Sequence, residues 1–175
     1  MKGSYQVGDR VERFSCGAGP TGWRYAAVRD DGDSVDLVLD DAGRQVRLTA
    51  EHDGWLVRGG VLGEEVLWVR GTEEHRARAA GFTGTSPSYD VAVARLLGLG
   101  VGDGRRVTLV ELTEPVAAAR TVEHGWARTA GPEDGVDRYE VADLQTGERW
   151  VLHLAGEVLV SREGRHPAHL LTLTR

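Results

Sequence analysis

Five tryptophans, Trp23, Trp55, Trp68, Trp126 and Trp150, offer the largest surfaces in this sequence for a ligand to rest on. Their rings can cover an apolar group while the indole N–H orients a polar one. The same area can build a core, and each falls on or beside a segment that reads as a strand. Lining one groove, they would bury about ten methylenes of a guest at about 0.8 kcal/mol each, roughly 8 kcal/mol before ordering costs. That matches micromolar affinity without any charged contact. Tyr89 and Leu97 extend the expected apolar lining, and Arg95 can hold an anionic head group by a bidentate contact.

Residues for catalysis are sparser. His153 shares a strand face with Val151, opposite Trp150, Leu152 and Leu154. With Tyr139 and Glu123 it forms the set on which proton transfer inside a barrel could rest. Glu123 adjoins His124, but neighbours on a strand face opposite ways. His166 and His169 have the same difficulty as metal ligands, and Pro167 works against a regular helix that would join them. No metal and no cofactor is expected. Ser86, Ser88 and Ser161 lack the Gly-x-Ser-x-Gly elbow of a serine nucleophile. Asp30-Asp31-Gly32-Asp33 has the opening spacing of a calcium loop without its terminal Glu, and reads as a hairpin turn. The loop Cys16–Gly22 lacks the Gly-Lys-Ser/Thr ending of a phosphate cradle.

The 175 residues suffice for one domain with a sizeable core. A net charge of −6 gives no attraction to phosphate backbones, so nucleic acid is not an expected partner. Nearly all positive charge is arginine, since Lys2 is the one lysine, the mark of a GC-rich genome. The lone Cys16 fits a reducing cytoplasm, the start lacks an apolar signal core, and no run is long enough to span a membrane.

One helix stands out. Ser86 can cap it, Pro87 suits its first position, and Gly98 can end it in the left-handed conformation. Over residues 86–97, Tyr89, Val93, Leu96 and Leu97 gather on one stripe. On both sides lie alternating segments, about eleven candidate strands. Ser34–Asp40 and Arg44–Thr49 are clear examples, whereas Gly59-Gly60 breaks the pattern and His75–Ala80 suits a short helix or an edge strand equally. Asp137–Leu144, Glu148–Leu154 and Glu157–Arg162, joined by minimal turns, must be antiparallel neighbours. The expected fold is mostly β: an antiparallel curled sheet, β-roll or open barrel, crossed by the helix as a lid.

Ser86-Pro87, Val93, Arg95-Leu96, Leu99, Gly102 and Val107–Glu111 together resemble a bacterial family described as glycolipid-binding. His124-Gly-Trp-Ala-Arg128 stands where that family has Gln-x-Tyr-x-Arg, followed by Arg138-Tyr139, and His166-Pro167 stands for its closing Tyr-Pro. The chain departs from it at Tyr89-Asp90, in place of Thr-Asn, and at Ala92, in place of Pro. The resemblance, over roughly Gly81 to Leu171, implies a rolled sheet similar to bacterial lipoprotein carriers, with an apolar groove and a lipid-like ligand. The leading expectation is therefore non-catalytic binding of a hydrophobic or amphipathic small molecule. The alternatives are a cyclase-type enzyme of secondary metabolism and a protein interaction module.

Overall fold

The computed structural model describes residues 1–20 and 22–174. Its strands in chain order are β1 (Lys2–Val7), β2 (Arg10–Gly19), β3 (Gly22–Arg29), β4 (Ser34–Leu39), β5 (Gln45–His52), β6 (Trp55–Leu62), β7 (Glu65–Arg70), β8 (Glu73–Arg78) and β9 (Phe82–Thr83). After the helix α1 (Pro87–Leu97) come β10 (Gly104–Thr113), β11 (Ala118–Thr129), β12 (Asp137–Asp143), β13 (Arg149–Ala155), β14 (Val158–Glu163) and β15 (Ala168–Thr174). All fifteen strands belong to one sheet, running from β8 down to β1, across to β15, and on down to β9. Two consecutive meanders are thus zipped together by the pairing of β1 with β15. Every pairing is antiparallel except β9 with β10. The sheet is not closed into a barrel: β8 and β9 remain its two ends.

The alternation that marks half-buried strands sets which side chains face inward. Val35, Leu37 and Leu39 of β4, Leu48 and Ala50 of β5, and Val107 and Leu109 of β10 are all buried in one contiguous apolar cluster. α1 forms as its sequence directs. Ser86 accepts from the Ser88 N–H, and Gly98 ends the helix at φ 53°, its N–H bonded to the Ala94 carbonyl. The helix is more deeply enclosed than a lid with one solvent face. Pro87 through Ala94 and Leu97 are all buried, because the sheet curls far enough to meet α1 from β3, β4, β9 and β14. The space beneath it is filled core: Tyr89, Ala92 and Val93 are fully buried, as are Leu37, Leu48 and Leu109.

Several local expectations change. β1 is an added strand, and β2 runs through most of the expected loop Cys16–Gly22, whose Thr21 lies outside the described residues. β6 passes straight through Gly59 and Gly60. A Cβ at Gly59 would lie 2.5 Å from the Leu67 carbonyl oxygen, and one at Gly60 2.4 Å from that of Val46. The glycines permit close crossing of strands here instead of interrupting one. Of the ambiguous segment His75–Ala80, the part up to Arg78 belongs to an edge strand, β8.

Candidate functional site

Most of the polar residues that the strands bury gather at the N-terminal end of α1. Glu12 takes an inward position on β2, in phase with Phe14 and Cys16, and is 2% exposed. It accepts a hydrogen bond from the Ser86 hydroxyl at 2.8 Å. Burial pushes its carboxyl up to about 7, against the pull of the Ser86 bond and the Arg29 and Arg162 charges. Beside it, Arg29 donates to Asp33 at 2.7 Å and to Glu114, which also accepts from the Thr85 hydroxyl. His52 Nδ1 lies 3.0 Å from the same Asp33 carboxylate. Burial works to raise Asp33, but bonds from the Asp53 N–H and His52, with the Arg29 charge, hold it below the usual carboxylate range.

Asp33, His52 and Glu114 offer donor atoms within 4.8 Å of one another, a spacing suited to a cation. The Arg29 guanidinium bonds to both carboxylates, so a cation of the chain itself already meets that demand. The cluster is an ion-pair network that anchors β3 and the segment after β10 to the start of α1.

A second network lies across the helix terminus. Arg162 of β14 donates to Asp90 at 2.6 Å, to the Thr85 carbonyl at 2.6 Å and to the His166 carbonyl at 2.6 Å. Glu111 accepts from Arg120 and Arg165. His124 is 1% exposed, and neither ring nitrogen has a hydrogen-bond partner among the described residues. Burial, reinforced by the Arg165 charge, lowers its pKa to about 4 and keeps the ring neutral. The space beside it measures about 10 Å³, too small for an organic ligand.

The opposite, C-terminal end of α1 is built differently. From the junction where the Ala80 N–H bonds to Thr108, the chain ends of β8 and β10 part instead of pairing. A groove in that gap reaches the edge of the inner layer, where Ala79, Leu97 and Val107 remain buried. The groove of about 530 Å³ is lined by Val61, Ala79, Ala80, Leu96, Leu97 and Val107, with Arg44, Arg78, Arg105 and Arg106 at its rim. One wall is the turn between β4 and β5, shaped by Asp40, whose carboxylate accepts from the N–H groups of Ala42 and Arg44. Arg44 and Arg78 are paired with Asp40 and Glu64. Arg105 forms no ion pair among the described residues.

The sequence-predicted residues do not converge on one surface. Trp23 lies beside Tyr25, with Arg95 5.0 Å from its ring, and Arg95 pairs with Glu157 at 2.6 Å. Trp55 is 41% exposed and covered by Arg70. Trp68 stacks on His75, Trp126 meets Tyr139 edge-on, and Trp150 meets His124 edge-on. Tyr89 is enclosed beneath the helix, while Leu97 does line the groove. Trp126 and Trp150 border a separate outer-face groove of about 580 Å³, and Trp68 another of about 840 Å³. Of the acid–base set, Tyr139 points inward and is buried, whereas Glu123 and His153 lie on the outer face, His153 bonded to Ser161. Glu12, Arg29, His52, Asp90 and Arg162 were not anticipated as a group. Their signal is a charge in the apolar phase of a strand or helix, as at Glu12 between inward-facing neighbours.

Fold and site together define a mostly β protein, one open, curled sheet wrapped around a single helix. It is similar to the crystal structure of a DUF1089 family protein from Pseudomonas aeruginosa, with a TM-score of 0.59 and 14% identity, covering 91% of this chain and 86% of that one. A likeness at that identity shows the fold alone. No protein-family model and no curated protein matches the chain. No helix is long and apolar enough to cross a membrane.

Proposed function

We propose that the protein binds an amphipathic, lipid-like small molecule without chemical change, in the groove beside the C-terminal end of α1. The observation that carries this reading is the unclosed seam, where a groove flanked by the half-buried Leu96 and Val61 reaches the buried Leu97 and Val107 beneath a rim of arginines. Its volume of about 530 Å³ is in the ~300–1,000 Å³ range of small-molecule sites. Each methylene of an aliphatic tail that the groove buries would contribute about 0.8 kcal/mol before ordering costs. Arg105 stands at the mouth to meet a polar or anionic head group. The resemblance to a bacterial glycolipid-binding family fits such a ligand. The free Cys16 fits a bacterial cytoplasm as its setting.

Native mass spectrometry of the protein with laurate and with dodecyl maltoside tests the reading. A one-to-one adduct with either amphiphile, lost on Leu96→Arg, is the expected result. Failure of both amphiphiles to bind, with no apolar compound released on organic extraction of the purified protein, would overturn it.

A further inference from the structure

β8 is the last strand on its side of the sheet, so one side of its backbone has no neighbouring strand. All of its residues except the half-buried Ala77 are exposed. Free edges of this kind pair with other strands unless charge or shape prevents it. The edge reads Glu73-Glu74-His75-Arg76-Ala77-Arg78, acidic at one end and basic at the other. Such a strand repels a parallel copy and complements an antiparallel one.

The register with β7 decides which charges would meet. Glu74 lies opposite Val69 and Arg76 opposite Leu67, on the outer face, while His75 lies opposite Trp68 on the inner face. Two identical strands pairing about a two-fold axis normal to the sheet place residues of the same face opposite one another. Centred on His75, that pairing sets Glu74 of each copy against Arg76 of the other, so the charge match occurs twice. Centring on Glu74 or on Arg76 would set like charges together, which opposes those registers. Arg78 is already paired within the chain with Glu64 at 2.6 Å, and Glu73 lies 3.7 Å from the His75 ring. Glu74 and Arg76 form no ion pair among the described residues. Beside them, Val46, Leu62 and Val69 are 42%, 71% and 37% exposed and line one outer-face groove with Leu67. A row across the joined edges would run Val69, Glu74, then Arg76 and Leu67 of the second copy, with aliphatic carbon on both sides of each ion pair.

We propose that the chain forms a two-fold dimer by antiparallel pairing of β8 with β8 of a second copy, centred on His75. The opposite sheet end limits growth beyond two. β9 is only Phe82–Thr83, buried at 0% and 8% exposure, so it offers no second edge. The assembly closes as a dimer instead of extending as a fibre.

Light scattering coupled to size exclusion, run on the full chain over a range of concentrations, tests this directly. Wild type is expected as a dimer. Glu74→Arg and Arg76→Glu alone each create like-charge pairs twice and should raise the dimer dissociation constant by about tenfold or more. The exchanged variant carrying both E74R and R76E recreates the match and should dimerise again. Amide exchange across Glu73–Arg78 should slow as wild-type protein concentration rises. A wild type that stays monomeric throughout, single variants that dimerise as tightly as wild type, or an exchanged variant that stays apart would each overturn the proposal. Circular dichroism on each variant separates loss of pairing from loss of fold.

Discussion

The side-chain amide of Gln45 on β5 stands in for a missing strand beside Phe82 on β9. Its Nε2 donates to the Phe82 carbonyl at 3.0 Å, and its Oε1 accepts from the Phe82 N–H at 2.7 Å. Both residues are 0% exposed. One amide therefore satisfies both backbone groups of a buried residue and ties the two halves of the open sheet across its interior. Gly81 leaves room for it, since a Cβ there would sit 3.0–3.2 Å from the Gln45 amide.

Replacing Gln45 with Met keeps much of its shape and removes both bonds. Phe82 then has a buried N–H and a buried carbonyl without partners, each costing about 1–3 kcal/mol. Urea denaturation should show Gln45→Met destabilised by roughly 2–5 kcal/mol. A loss under about 1 kcal/mol would mean that β9 finds another partner.

Arg162 should be the costliest single truncation at the N-terminal end of α1. It is 4% exposed and satisfies the Asp90 carboxylate and two backbone carbonyls. Arg162→Met leaves the buried Asp90 carboxyl and two backbone carbonyls without their partner, so a loss of about 3–5 kcal/mol is expected. Arg162→Met with Asp90→Leu should recover part of that loss, because the unpartnered buried carboxyl is gone. A double-mutant cycle by thermal unfolding measures the coupling, and strict additivity would contradict the geometry.

The helix and the antiparallel character of the sheet were legible in the sequence for physical reasons. Ser86-Pro87 and Gly98 mark the ends of α1, and alternation over Ser34–Asp40 or the short turns around Gly147 and Gly156 leave few other solutions. What stayed hidden depends on contacts between residues far apart in sequence. Nothing local shows that Gly59 and Gly60 sit where strands cross closely, or that Gln45 serves a strand 37 positions away. All five tryptophans lie on strands, as the alternation around them implies. Their type could not reveal that each has its own separate partner, nor that the groove would be lined by Leu96, Leu97 and Val107 at a seam where two strand ends part.

Glu12 gives the fold an acid-side stability term. Its folded carboxyl titrates at about 7 against an ordinary value of 4.5, so the folded state binds its proton more tightly than the unfolded chain. The stabilisation is fully present below pH 4.5, declines between 4.5 and 7, and is lost above that. Its full size is about 3 kcal/mol. His124 acts in the opposite sense, losing stabilisation as pH falls from 6.5 towards 4, so the wild-type profile partly cancels. The difference between wild type and Glu12→Gln removes the His124 contribution. That difference should favour the variant progressively from pH 4.5 to 7 and then level off. A difference independent of pH would show that Glu12 ionises in the folded state as it does in water.

Gly43 and Gly98 both have positive φ, 78° and 53°, yet substitution should cost them unequally. An alanine in that region carries about 1–2 kcal/mol of backbone strain at either site. At Gly98 the new Cβ meets only the Arg95 carbonyl oxygen, at 3.9 Å, an ordinary contact. At Gly43 it would lie 2.9 Å from the Leu96 nitrogen and 3.0 Å from the Arg95 carbonyl oxygen, both backbone atoms that cannot rotate away. The turn must then lift from the helix end, and that turn carries Arg44, on the rim of the proposed binding groove. Gly43→Ala is therefore expected to destabilise by at least about 1 kcal/mol more than Gly98→Ala, and to weaken laurate binding as the groove wall shifts. Equal losses in denaturation for the two variants would mean that the turn does not press on the helix.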